Sequence, residues 1–512
     1  MSAYIIAYDL GTGGNKASLY DVEGKCIAES FVAYPTLYPR SGWHEQKPED
    51  WWDAVVESTR ILIEKANIPV DEIACCGISG HSLGVVPIDK SGNLLRESTP
   101  IWSDSRSVVQ TKKMFEKINE VEWYSLTGNG FPPPLYSVFK IMWYRDNEPE
   151  MFEKTHKVLG TKDFVNLKLT GEIYTDFSYA SGSGVYDLVN WEYSHELIEA
   201  SELKKGIFPE ILPSTEVIGT LSQDAAKALG LPENVQVISG GVDNSCMALG
   251  ACCFKEGRVY NSQGSSSWIA VASSKPLLQN QSRPFVFAHV VPNMFASALG
   301  VFSTGTSFRW VRDNLCQDLI LQAESQNKSP YDLMTALAVD VNPGSKGLLF
   351  NPSMAGGSSL DKSPNIRAAF LGLDLGHSRA EIIRATMEGV ALELRKALDE
   401  LRKMWQLSDE MIVVGGGSRS KLWRQIYADV YNMRIIKTNI DQQAAALGAA
   451  SLAAVGSGLW KDFVKIDDIH QVQDVCEPIH GNHLIYENIL KVSKKVSNYL
   501  AEIGDDITAM GL

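Results

Sequence analysis

The sequence predicts an α/β protein with mixed sheets spread over more than one domain, on three observations. The chain has 512 residues, beyond what one hydrophobic core usually supports, so length asks for about two to four domains. Up to residue 79 the order reads strand, strand, strand, helix, strand, which gives a mixed sheet rather than a purely parallel one. The second half returns to the theme, because residues 258–274 read as a strand, a Gly/Ser turn and a strand. The duplication is one of topology, not of letters.

The elements follow in order. Ile5, Ile6 and Ala7 run into the turn Gly11-Thr12-Gly13-Gly14, the chain returns through residues 16–20, and residues 20–34 read as a turn and a third strand. Pro48 opens a helix over 48–67, with acids in its first turn and Trp52, Val55, Val56, Thr59, Leu62 and Ile63 at helical spacing. Residues 73–79 are a strand apolar on both faces. Long helices are expected over 378–403 and 420–432. The second follows a strand and the triple glycine Gly415 to Gly417, a place where an anion or nucleotide could settle. No linker, low-complexity tract or long charge run interrupts the chain, so the domain boundary is expected between Asp243 and Gly257.

Bulk composition narrows the function classes. A formal charge of −14 without clustered Lys and Arg argues against a nucleic-acid partner. No run approaches the roughly 18 to 20 apolar residues of a membrane span, and the first residues lack a charged n-region and a cleavage site. The expectation is a cytoplasmic enzyme with no membrane partner. Eight cysteines lack C-x-x-C spacing, and the pairs Cys75-Cys76 and Cys252-Cys253 lie in apolar runs, so they read as reduced core residues. The nine histidines are scattered without ligand spacing, and no transition-metal site is indicated.

Two glycine-rich turns carry the chemistry. In one, an apolar strand delivers Asp9 into Gly11 to Gly14; in the other, a strand and the pair Gly240-Gly241 deliver Asp243 to the start of a helix. Glycine turns let backbone N–H groups approach a phosphate. Two carboxylates at strand ends suit phosphoryl transfer from Mg·ATP to a hydroxyl, one holding the metal and the other accepting a proton. Two plainer readings stand beside this one: Asp243 as a helix N-cap, and Gly11 to Gly14 as an ordinary hairpin turn. The chain has no G-x-x-x-x-G-K-[ST] loop, so a P-loop kinase is not a serious competitor.

Further segments carry a resemblance. Residues 140–147 resemble the first signature of the FGGY family of carbohydrate kinases, with departures at Leu135 and Tyr144, and residues 368–388 match the second without departure. Around them, in family order, lie GWHEQKPEDWW from Gly42, IWSDSR from Ile101, GTKDF from Gly160, GGVDN from Gly240, GGGSRSKLW from Gly415 and AAALGAA from Ala444. The chain is thereby identified as similar to FGGY kinases almost end to end, nearest in pattern to xylulokinases.

The resemblance implies two actin-like domains of the ribonuclease H-like (ASKHA) type with an inter-domain catalytic cleft, residues 1–246 binding sugar and carrying the first phosphate loop, residues 247–512 binding nucleotide. It implies ATP and Mg²⁺ as cofactors, a small sugar or polyol as substrate, and a homodimer as a possible assembly. It matches Asp243 to the general base and Asp9 to the magnesium-organising carboxylate, with Asp243 also near the metal. Thr12, Gly13 and Gly14 match the first phosphate loop and Gly264, Ser265 and Ser266 the second, while Gly305, Gly416 and Ser420 fall at nucleotide-contacting positions. On the substrate side stand His81, Ser82, Leu83, Asp104, Asp243 and Asn244. The segment GISGHSLG at residues 77–84 departs from the family's usual SGQMHG. Leu83 in place of histidine removes a hydrogen-bonding group from the sugar wall. For His81, substrate contact and a strand-end histidine satisfied by backbone both stay open. Residues 354–364 also depart from the family pattern. The expected activity is phosphorylation of a small ketose, xylulose- or ribulose-like. The alternatives are a polyol or sugar-acid kinase, or an ATP-dependent sugar sensor without catalysis on the same fold.

Overall fold

The predicted meander is the seed of the first sheet. The computed structural model describes residues 3–511, and its strands are β1 (Tyr4–Gly11), β2 (Gly14–Asp21), β3 (Cys26–Ala33), β4 (Ile73–Gly80), β5 (Val217–Thr220), β6 (Gln236–Ile238) and β7 (Gly241–Val242). They run in the order β5-β6-β4-β1-β2-β3, with β7 paired to the far end of β4. The hairpin β1-β2 is antiparallel and closes at Gly11 opposite Gly14, while β4 lies parallel to β1. Ile6, Tyr8, Cys76, Ile78 and Val237 fill one buried cluster with Leu62 and Val55 of the helix Pro48–Ala66.

That helix faces inward slightly differently from the sequence expectation. Trp51, Ala54, Val55, Ser58, Thr59 and Leu62 are buried, whereas Trp52, Val56 and Ile63 pack only at the edge. The buried stripe admits Ser58 and Thr59 because each finds a partner: the Tyr8 hydroxyl lies 2.8 Å from Thr59 Oγ1, and Asn15 Nδ2 donates to Ser58 Oγ at 2.8 Å. The sequence pattern includes Thr59 but misses Ser58.

The second sheet repeats the motif. Six of its seven strands, β8 (Val259–Gln263), β9 (Ser267–Ser273), β10 (Phe295–Val301), β11 (Glu410–Val414), β12 (Arg434–Thr438) and β13 (Val472–Cys476), lie in the order β10-β9-β8-β11-β12-β13. Again an antiparallel hairpin, β8-β9, carries a glycine turn, and again a later strand, β11, lies parallel to its first arm. The chain divides into two compact units. One holds the chain up to Glu256 with Ala272–Ser297 and Gln443–His470; the other holds Gly257–Val271, Ala298–Gln442 and the chain from Gln471 onward. The cysteines are free thiols, and all but Cys26 are buried. Among the described residues no helix is long and apolar enough to cross a membrane.

Within the first unit, the helix Ala444–Gly456 lies against both β4 and the helix Asp243–Gly250. Small residues permit the approach. A Cβ on Gly448 would stand 2.0 Å from the Cys246 carbonyl oxygen, one on Gly250 1.8 Å from that of Ala444, and one on Gly77 2.5 Å from that of Ala449. Gly448→Ala is therefore expected to lower unfolding free energy by about 1–3 kcal/mol, as overpacking does. Gly481→Ala, on a helix position with nothing within 4 Å, serves as the control and should be neutral or stabilising. Chemical denaturation of both variants checks the contrast.

Candidate active site

Strand register places the two aspartates. On β4, Ser79 has Asp9 of β1 as its partner on one side and Gly241 of β7 on the other. Asp9 and Gly241 therefore lie two inter-strand spacings of about 4.8 Å apart at the backbone, and Asp243 follows Gly241 by two residues, at the start of the next helix. Gly240 makes the turn into β7 possible: its φ is +74°, and a Cβ there would lie 2.3 Å from the Ile78 carbonyl oxygen. Asp243 is the first residue of its helix, after Val242 at the N-cap position. Its Oδ1 accepts the Asn244 N–H at 2.8 Å. It is thus not the N-cap, although its carboxylate does satisfy one N–H of the first turn.

Both carboxyls are held above the ordinary carboxylate range. Burial raises Asp9, and Lys16, its cross-strand partner, and the Ser79 hydroxyl at 3.3 Å only partly offset that. Burial pushes Asp243 up to about 7, the Asn244 N–H opposing and the charge of Asp9 adding to the rise. Burial is the larger cause in both, and the like charge of Asp9 adds to it at Asp243.

Behind this strand end sits a buried ionic support. Lys162 Nζ meets Asp163 at 2.6 Å and Asp176 at 3.1 Å and donates to the Ser239 carbonyl at 3.2 Å. Asp176 accepts from the Ser178 hydroxyl at 2.5 Å, and Ser178 Oγ in turn accepts the Val242 N–H at 2.9 Å. A chain of charged and polar groups therefore ends one residue short of Asp243. The segment GTKDF gave a family match but no sign of this role.

The remaining expected residues of the first unit divide by exposure. Thr12 and Gly13 form the exposed two-residue tip of β1-β2, so this turn is a hairpin and is also open to solvent. Gly14 is buried at the base of the tip. Trp102 Nε1 donates to Thr12 Oγ1 at 2.9 Å and Gln46 Nε2 to the Thr12 carbonyl at 2.7 Å, two supports that sequence reading missed. Asn244 is half-buried beside Asp243. His81 is 1% exposed; its ring packs edge-on to Trp51 and lies 3.2 Å from Thr161 Oγ1. Burial lowers its pKa to about 4, so it is neutral. Leu83, also 1% exposed, has a left-handed backbone at φ +60° and packs with Val85 and Phe139, while Ser82 is 7% exposed. Asp104 has no accessible surface: Arg106 and the His44 N–H occupy both its oxygens. Arg106 is itself stacked on Trp43, 3.9 Å from the ring centre.

The second unit carries a cavity of about 530 Å³ whose lining includes Gly264, Ser265, Gly305, Gly416 and Ser420. Ser266 is not part of that lining; its carbonyl accepts the Gly264 N–H at 3.0 Å. The glycine turn after β8 is latched to the helix Gly305–Leu315, since Gly305 N–H donates to the Gly264 carbonyl and Thr304 and Thr306 N–H groups to that of Ser265. Ser420 caps the helix Lys421–Tyr431 through a 3.3 Å bond from the Trp423 N–H. One wall is aromatic: Phe308 and Tyr331 stack with centroids 5.7 Å apart, and Trp423 lies 5.0 Å from Phe308. Phe308 stood next to a recognised glycine motif, but nothing in the sequence marked Tyr331. An apolar stacking wall facing exposed glycine turns and two helix N-termini suits a ligand with a flat ring at one end and an anion at the other.

Comparison with known proteins identifies the family. The profile of the FGGY family of carbohydrate kinases, N-terminal domain, matches residues 4–250, and that of the C-terminal domain matches residues 259–457. The chain is 30% identical over 459 residues to the xylulose kinase of Bacillus subtilis (strain 168), covering 89% of this chain and 88% of that one. It is 27% identical over 518 residues to the gluconokinase of the same organism, covering 99% and 98%. The ligand-bound xylulose kinase of Lactobacillus acidophilus superposes with a TM-score of 0.88 at 25% identity over 98% of each chain. The fold is thus the two-domain actin-like one, the activity is phosphoryl transfer to an alcohol group of a sugar or sugar acid, and the chain belongs to the FGGY family of carbohydrate kinases.

Proposed function

We propose that the protein transfers the γ-phosphoryl group of ATP to a primary hydroxyl of a small ketose, xylulose- or ribulose-like, with Asp243 as the general base. The observation that carries this is Asp243 itself: a carboxyl at a strand end, opposite a second carboxyl, raised to about 7. A base poised near neutrality is matched to taking a hydroxyl proton and releasing it again. Asn244 N–H fixes the orientation of one oxygen and leaves the other for the substrate.

The pair Asp9 and Asp243 fits a magnesium ion. Their oxygens are hard donors, their mutual repulsion calls for a cation, and among the described residues no cluster of three or more metal-ligating side chains competes. Two carboxylates with several waters is the coordination magnesium prefers. When bound, the ion would neutralise charge on the phosphate chain. Asp9 would hold it, largely through water, and Lys16 limits the net charge of the Asp9 strand end.

The cavity of the second unit is read as the nucleotide site. Phe308, Tyr331 and Trp423 would take the base, and the N–H groups of Ser265 and Gly416 the phosphates, while the Gly264 and Gly305 N–H groups bond the Ser266 and Gly264 carbonyls and hold the turn in shape. Thr12, Gly13 and Gly14 offer a further N–H turn in the first unit. For the sugar wall, our reading gives Ser82 and Asn244 the polar contacts. His81 and Leu83 shape the wall from within, and Asp104 holds Arg106. Leu83 offers no hydrogen bond where xylulokinases carry a histidine. A sugar acid is the second reading, favoured by the match to a gluconokinase over nearly the whole chain.

Coupled ADP release with Mg·ATP and a panel of ketopentoses, ketohexoses, polyols and sugar acids decides the acceptor. Turnover with gluconate but no ketose would move the assignment to the second reading. Silence across the panel with ATP still bound would favour a sensor. Asp243→Asn is expected to lower turnover by roughly 10² to 10⁴ while ADP affinity stays within about twofold, since a base contributes little to ground-state binding. The pH profile has a defined sign. The base works deprotonated, so kcat/KM should fall about tenfold per pH unit below its inflection and level off above it; the metal-free carboxyl stands at about 7, and a magnesium ion beside it moves the inflection below that. A profile flat down to pH about 5, the ordinary carboxylate side of that range, would remove Asp243 from the role.

A further inference from the structure

The helix His480–Ala509 of the second unit leaves an apolar stripe uncovered. Its inner face is fixed. Tyr486, Leu490, Ser497, Ala501 and Gly504 are buried, the Tyr486 hydroxyl donates to Glu388 at 2.7 Å, and Lys396 Nζ donates to Ser497 Oγ at 2.7 Å. A Cβ on Gly504 would lie 2.2 Å from the Asn365 carbonyl oxygen, so the helix has no freedom to roll. On the opposite face stand Ile485, Val492, Val496, Tyr499, Ile503 and Met510, all but the part-buried Val496 between 42% and 71% exposed. Steps of four and three residues are the 3.5-residue period of a seam between paired helices. A contiguous exposed apolar stripe of this kind marks a binding surface.

We infer that this stripe is a self-association surface, on which the helix pairs antiparallel with the same helix of a second copy of the chain. The spacing reads the same from both ends: seven, four, three, four and seven residues. A two-fold axis midway between Ser497 and Asn498 therefore sets Val496 against Tyr499, Val492 against Ile503 and Ile485 against Met510 of the other copy, each contact occurring twice. Charge agrees with that direction. Lys491 and Lys495 border the stripe in its first half, Glu502 and Asp506 border the same edge in its second, and all four are exposed and outside any ion pair among the described residues. Antiparallel pairing brings Lys495 beside Glu502, and Lys491 beside Asp506, of the other copy. Parallel pairing in register would set like charge against like, and flanking charges of this kind choose the orientation of paired helices. Asp506 is the one charged residue at a seam position. It stands opposite Ile489, which its own unit covers, since a Cβ on Gly344 would lie 2.9 Å from the Ile489 Cδ1.

The test is sedimentation velocity of the full-length protein over a concentration series, with thermal melting of every variant. The wild type is expected to dimerise with a Kd on the order of 1–10 μM, because one helix pair lies at the small end of specific interfaces. Tyr499→Asp should weaken the dimer at least about a hundredfold, since the two-fold axis buries the new charge twice. Leu321→Asp, at a 67% exposed leucine of the helix Gln317–Gln326, is the control and should leave the Kd within about twofold. Lys495→Glu and Glu502→Lys should each weaken the dimer about tenfold, and the double variant should regain the wild-type Kd, because it restores the same pairs with the signs exchanged. A wild type still monomeric at about 100 μM overturns the inference. So does a dimer that Tyr499→Asp leaves intact, which would put the interface elsewhere on the chain. A double charge variant that dimerises no better than the single ones overturns the antiparallel direction. Should Tyr499→Asp melt well below the wild type, the charge-exchange series, made at exposed residues only, decides alone.

Discussion

The close seat of the helix Asp243–Gly250 on the helix Ala444–Gly456 is the constraint from which the placement of Asp243 beside Asp9 follows. Glycines at 250 and 448 let backbone meet backbone with no Cβ between them, and Gly77 lets β4 join the same contact. The helix that begins with Asp243 is thereby fixed in height against β4, the strand whose other neighbour carries Asp9. Interiors packed to crystal density transmit small displacements, so the distance between the two carboxyls depends on residues far from either in sequence.

The cost of this arrangement is electrostatic, and at Asp9 it is partly offset by Lys16 and the Ser79 hydroxyl. Two carboxyls at one strand end repel, and each is raised by burial. Lys162, shared between Asp163 and Asp176, holds the backbone just before Asp243 in place. Such buried pairs give little net stability against an apolar core, and removing one partner costs about 3–5 kcal/mol. Their contribution here is geometric. They fix Ser239 and, through Ser178, Val242, so that the raised carboxyl is presented without a mobile backbone.

The second unit solves a different problem with the same motif. Its hairpin β8-β9 again ends in a glycine turn, but the turn is latched to a helix N-terminus by three backbone bonds and faces an aromatic wall. One duplicated framework therefore carries carboxylates in one copy and a stacking cavity in the other. That difference lies in a few side chains at strand ends and not in the topology.

Hydrophobic patterning and glycine turns, read from sequence, were enough for the meander, the helix after Pro48, β4, the β8-β9 hairpin and the long helices, because each is set by local periodicity and turn chemistry. Asp9, Asp243 and the glycines of both turns were legible for the same reason. The inward turn of Trp51 rather than Trp52 was not, since it depends on Ser58 and Thr59 finding partners across the core. Nor was the burial of His81, Leu83 and Asp104, which follows from what Trp51, Phe139 and Arg106 place over them. Tyr331 had no local signature at all. The sequence by itself determined which groups can do the chemistry, because residue type fixes charge and hydrogen-bonding capacity. Only the tertiary structure decided which of them are left open to do it, because exposure and pKa are set by neighbours brought from elsewhere in the chain, above all residues 443–470 returning to the first unit.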